Sequence, residues 1–156
     1  MIFRRPIRNR RPLATALALA GTLAISGCLK PAEIEAENAW VRLPAVPDRP
    51  AVGYFTLHGG ARSTTLIAVN ADLAQRTEMH ESMGSGGMMT MRPLRQLPLP
   101  ANGTITFAPG AKHLMLFGVN PALKPGGSTI LTFTFADGSR IDRKAWALGA
   151  GDPAPE

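Results

Sequence analysis

The sequence holds one cysteine in 156 residues, Cys28, so it can form no disulfide within the chain and no metal site built from several thiolates. A second absence is the amphipathic helix: no segment convincingly repeats apolar residues at a 3.6-residue spacing, and helix content is expected to be near zero. No internal repeat is visible. No Ser-His-acid or Cys-His arrangement can be nominated, so the chain is not expected to be an enzyme. The apolar run Leu13 to Ile25 is too short to cross a bilayer as a mature helix.

That run follows Arg4, Arg5, Arg8, Arg10 and Arg11, with no acid among residues 1 to 12. A positive segment leading into a short apolar one reads as a secretory signal peptide. Ile25-Ser26-Gly27-Cys28 resembles the lipobox of bacterial lipoproteins, in which the cysteine is acylated and becomes the new N-terminus. The resemblance implies a lipid anchor on the periplasmic side of a bacterial membrane. Leu29 resembles the pattern that directs such proteins to the outer membrane; without lipidation, a soluble periplasmic protein is expected.

Export changes the charge argument. Five of the seventeen basic residues belong to the signal, leaving twelve against eleven acids, a formal balance of +1. The basic pI of the precursor therefore gives no reason to expect nucleic acid as a partner. The expected organisation is residues 1–27 as signal peptide, 28–37 as lipidated cysteine and tether, 38–148 as one domain and 149–156 as a mobile tail.

From Asn38 on, short β-branched, aromatic and aliphatic runs alternate with Gly, Pro, Asn and Asp. Strands are expected over 39–43, 52–57, 64–70, 76–81, 88–92, 103–108, 113–119, 129–136 and 139–146. Asp137-Gly138, between TILTFTF and SRIDRKAW, is a strong hairpin signal. The expected fold class is all-β, an antiparallel β-sandwich or barrel of a single domain.

Soft sulfur gathers in one stretch: MHESMGSGGMMTMR, residues 79 to 92, carries five of the seven methionines and one of the three histidines. Later comes AKHLMLFGV, where a period of two puts His113 and Met115 on one face and turns Leu114 and Leu116 into a core. A hairpin through the flexible Ser82 to Gly87 connection would bring His80 beside Met91. Two imidazoles and two thioethers form a neutral, soft ligand set, which favours Cu(I) over ions that want oxygen or thiolate. Met79 alternates with His80 and is expected in the core, whereas Met83, Met88 and Met89 are candidate auxiliary copper ligands. His58 is not expected to bind metal.

The spacing H-x10-M-x21-H-x-M, from His80 through Met91 and His113 to Met115, resembles the copper motif of the periplasmic copper chaperone family called PCu(A)C. The similarity runs through AWVRLP (39 to 44), GYFTLH (53 to 58), MRPL (91 to 94), LPLPANGTITFAPGAKHLMLFG (97 to 118), LKPG (123 to 126) and LTFTF (131 to 135). The resemblance implies a cupredoxin-like barrel that binds one Cu(I) through His80, Met91, His113 and Met115. It also implies delivery to an acceptor, such as a cytochrome c oxidase subunit or another copper chaperone, by a monomer. Competing readings are copper storage or resistance, a blue-copper carrier, which the missing thiolate argues against, and a structural β lipoprotein without metal.

Overall fold

The computed structural model describes residues 32–85 and 88–155, apart from the side chains of Ser85, Met88 and Met89. The signal peptide, Cys28 and the first residues of the expected tether lie outside the described residues. Among the described residues there are ten strands and no helix: β1 (Glu35–Arg42), β2 (Ala51–His58), β3 (Thr64–Ala71), β4 (Ala74–Ser85), β5 (Met88–Leu94), β6 (Leu97–Leu99), β7 (Thr104–Phe107), β8 (Lys112–Val119), β9 (Ser128–Phe135) and β10 (Arg140–Leu148). They form one sheet in the order β5-β4-β8-β7-β2-β1-β10-β9-β3-β6, and β8 also pairs with β2. The flanks of this sheet meet, because Thr77 on β4 donates its hydroxyl to the Val69 carbonyl on β3. The sheet thus wraps around a single core.

The alternation that predicted strands also builds that core. In β2 and β9 every second residue is buried, as a half-buried strand requires. Phe55 stacks on Phe107 with ring centroids 4.2 Å apart and meets Phe133 edge-on at 4.8 Å. Leu114 and Leu116 of β8 are buried as expected, and Met79 of β4 joins them.

Several expectations are corrected. The sheet is mixed, since β1–β10 and β7–β8 are parallel. These pairings join segments whose neighbours are set by the whole fold, which a local pattern does not report. β1 starts at Glu35, so residues 35–37 of the expected tether are strand, and Ala36 is buried. Asn38, which looked like a boundary, sits at a bulge between Glu37 and Trp40 with φ of 49°, a left-handed conformation that Asn tolerates better than most residues.

β6 was not anticipated, because Leu97-Pro98-Leu99 is short and holds a proline. It lies at the sheet edge, where a residue lacking an N–H is tolerated. The hairpin at Asp137-Gly138 has a three-residue loop: Phe135 and Ser139 pair, Gly138 takes φ of 83°, and the Asp137 carboxylate accepts from Ser139. Those Ser139 hydrogen bonds hold the Asp137 carboxyl below its ordinary pKa. The tail is fastened at its start, where Arg42 donates to the carbonyls of Gly149, Ala150 and Asp152. The Asp152 carboxylate in turn accepts the Gly149 N–H.

Candidate functional site

Three neighbouring strands carry the four residues singled out in the sequence. β4 runs antiparallel to β8 with His80 opposite His113 and Glu78 opposite Met115. On its other side β4 pairs with β5, with Ser82 opposite Met91 and His80 opposite Pro93. Because side chains alternate by two, His80, Met91, His113 and Met115 share one face. His113 and His80 are direct cross-strand neighbours, while Met115 and Met91 are diagonal to His80 on either side. The strand β4 runs on through Ser85, so only residues 86–87 separate it from β5, a shorter connection than the sequence suggested.

The two imidazoles lie with ring centroids 6.0 Å apart, and His113 is only 5% exposed. Each ring has one nitrogen engaged and one left alone. His113 Nδ1 lies 3.0 Å from the Ala111 carbonyl, and His80 Nε2 lies 3.0 Å from the Glu78 carboxylate. These oxygens only accept, so the contacting ring nitrogens carry the protons. The lone pairs therefore sit on His113 Nε2 and His80 Nδ1. Among the described residues, those two are the buried side-chain polar atoms without a hydrogen-bond partner.

A buried, unpartnered polar atom is costly and calls for an explanation. Two of them on one face, in imidazoles oriented by their other nitrogens, are arranged as Lewis bases. Among the described residues no group of three or more His, Cys, Asp or Glu side chains is set to hold a metal. A metal centre on this face must therefore draw on the methionines. Met115 is partly buried, and Met91 is 64% exposed on the edge strand β5.

Of the candidate auxiliary methionines, the structure describes the side chain of Met83 alone. Met83 is exposed and lies on the face of β4 opposite His80, so the fold does not bring it to the other four. Met88 and Met89 register with Ser85 and Gly84, but their side chains lie outside the described residues. His58 is elsewhere, near Thr104 and Glu37 at the far end of β2. Trp40 is buried beside Tyr54, while Trp146 is 54% exposed with Lys144 over its ring.

Glu78 is the functional candidate missed in the sequence. It lies two residues before His80, hence on the same face, whereas Glu81, the adjacent acid, faces away. Glu81 instead binds Arg92 of β5 and Lys112 of β8, each at 2.9 Å, bracing the three strands from behind. Lys112 first, and then Arg92, hold the Glu81 carboxyl below the usual glutamate pKa. A group depressed in the folded state contributes at neutral pH, and the contribution is lost as pH falls through the folded value. A carboxyl-carbon NMR titration should thus place Glu81 below an unstructured glutamate, and Lys112→Ala should raise its midpoint. A midpoint unmoved by Lys112→Ala would mean the brace is absent in solution.

Comparison with known proteins then decides the family. A family model described as putative lipoprotein LpqE-like matches residues 34–146, most of the chain. The chain belongs to the LpqE-like family. A putative lipoprotein of Leifsonia xyli subsp. xyli, Lxx21020, is 27% identical over 107 residues, which cover 68% of this LpqE-like chain and 64% of that protein. The chain thus spans a little under two thirds of that curated relative.

Solved structures agree on the fold. The copper-bound PCuAC domain from PmoF2 superposes with a TM-score of 0.61 at 20% identity, over 77% of this chain and 96% of that one. The Cu(I) form of DR1885 from Deinococcus radiodurans gives 0.57 at 26% identity, over 80% and 83% of the two chains. The LpqE-like chain therefore has the all-β, cupredoxin-like fold of PCuAC domains.

Proposed function

We propose that this protein is a copper chaperone that binds one Cu(I) through His80 Nδ1, His113 Nε2 and the thioethers of Met91 and Met115. The observation that carries the reading is the pair of buried, unpartnered imidazole nitrogens on the face shared with the two methionines. A centroid separation of 6.0 Å suits one ion lying about 2 Å from a nitrogen of each ring. Neutral imidazole and thioether together select a soft monovalent ion. The likeness to the Cu(I) form of DR1885 supports the same reading.

The exposure of Met91 favours delivery over storage. A ligand on an edge strand, open to solvent, can be exchanged for an incoming donor from an acceptor without unfolding the site. The acceptor is an extracytoplasmic copper protein, such as one involved in cytochrome c oxidase assembly. Residues 1–27 act as signal peptide and Cys28 carries the lipid, in keeping with the lipoprotein description of the family and of its Leifsonia relative. Glu35 pairs with His58 at the end of the barrel toward which β4 climbs past His80 to Ser85. The chain from Cys28 thus enters the barrel at the end that carries the β4–β5 hairpin, which supports a membrane-bound acceptor.

The test is an anaerobic Cu(I) titration against a chromophoric chelator, run on the parent and on the Met91→Ala plus Met115→Ala double variant. One equivalent bound by the parent and lost in the double variant is expected. Binding untouched by the double substitution would return both methionines to a structural role.

A further inference from the structure

We propose that Glu78, held by Arg76, is the positioning residue that keeps His80 in its metal-competent tautomer. The proposal rests on the copper reading above and adds to it a residue that touches no metal. Three successive cross-strand pairs build the device on one face: Arg76 opposite Phe117, Glu78 opposite Met115 and His80 opposite His113. The Arg76 guanidinium lies over the Phe117 ring, 4.3 Å from its centroid, and donates to Glu78 Oε1 at 2.9 Å. Glu78 Oε2 accepts from His80 Nε2 at 3.0 Å. The aromatic ring thus fixes the cation, the cation fixes the carboxylate, and the carboxylate fixes the imidazole.

A neutral imidazole has two tautomers, and its partner selects between them. A carboxylate only accepts, so it draws the proton to Nε2 and leaves the lone pair on buried Nδ1. Glu78 is the partner that the structure gives His80 Nε2. Glu81 cannot replace it, because strand alternation commits Glu81 to Lys112 and Arg92 on the opposite face.

His113 supplies an internal control. Its tautomer is set by a backbone carbonyl, that of Ala111, which no side-chain substitution at position 78 alters. The two histidines should therefore respond differently to the same change.

The experiment records long-range 1H–15N imidazole spectra of the metal-free full chain in mildly alkaline buffer, then Cu(I) affinity by chelator competition, for the parent, E78A and E78Q. The parent should show His80 protonated at Nε2 and His113 at Nδ1. E78A should lose the single His80 tautomer while His113 is unchanged, and its Cu(I) affinity should fall about 10–100-fold. In E78Q the single amide oxygen is claimed by Arg76 and the NH2 turns to His80 Nε2, so the ring should lose its Nε2 proton and Cu(I) affinity should fall as in E78A, with His113 unchanged. E78A with His80 still protonated at Nε2, or with parental affinity, would overturn the proposal. A parent that binds no Cu(I) would overturn the copper reading alone, since the imidazole spectra still decide what Glu78 does.

Discussion

Exchanging His113 for leucine is expected to weaken Cu(I) binding at least about 100-fold and, at the same time, to raise the melting temperature of the metal-free protein. The two effects share one cause. His113 Nε2 is buried without a partner, and a buried polar atom left unsatisfied costs about 1–3 kcal/mol. Leucine has a similar bulk and no polar atom, so it removes that cost. The hydrogen bond it sacrifices is replaceable, because the Ala111 carbonyl also accepts the Ser82 N–H at 3.1 Å.

A gain of about 1–2 kcal/mol should shift the midpoint upward by about 3–8 °C. Affinity moves the other way, since a 100-fold loss corresponds to about 2.7 kcal/mol of binding. Met91→Ala should cost less, about tenfold, because a 64% exposed side chain on an edge strand is weakly held. Thermal denaturation of the metal-free form and chelator competition measure the pair of effects. If His113→Leu lowered the metal-free midpoint, the imidazole would be a packing element whose free nitrogen carries no cost. A protein that keeps a destabilising group in place does so for function.

Strand chemistry was legible in the sequence to the extent that it is periodic. Leu114 and Leu116 against His113 and Met115, and Met79 against His80, followed from the alternation of faces and lie as that alternation requires. The same rule, applied two residues upstream of His80, puts Glu78 on the face of the site and Glu81, the sequence neighbour, on the other. It also turns Met83 away from the site. What periodicity cannot supply is which strand lies beside which. The parallel pairing of β1 with β10, Arg42 reaching the carbonyls beyond β10, and the Ala111 carbonyl that orients His113 depend on tertiary placement. Leu97-Pro98-Leu99 was hidden for a local reason, because proline is read as a break unless the strand is known to be an edge.

Phe133→Ala should bring the protein close to the limit of folding, and Cu(I) should rescue it. Phe133 is fully buried on β9, between Val69 of β3 and Ile141 of β10 in register, and meets Phe55 edge-on at 4.8 Å. Truncating a buried phenylalanine costs about 3–5 kcal/mol, because the cavity relaxes only in part. A domain of this kind has about 5–15 kcal/mol in total, and with one cysteine it has no disulfide to constrain the unfolded chain. The midpoint should therefore fall by about 10–20 °C. The proposed ligands come from β4, β5 and β8, which are brought together only by the fold. An ion that binds the native state alone at a thousandfold excess over its Kd returns about 4 kcal/mol, close to what the truncation removes. Anaerobic melting of Phe133→Ala with and without Cu(I) reads both terms. Recovery toward the parental midpoint would tie the site to the assembled barrel. A variant that melts low and ignores Cu(I) would mean that the four side chains do not act together as one native-state site.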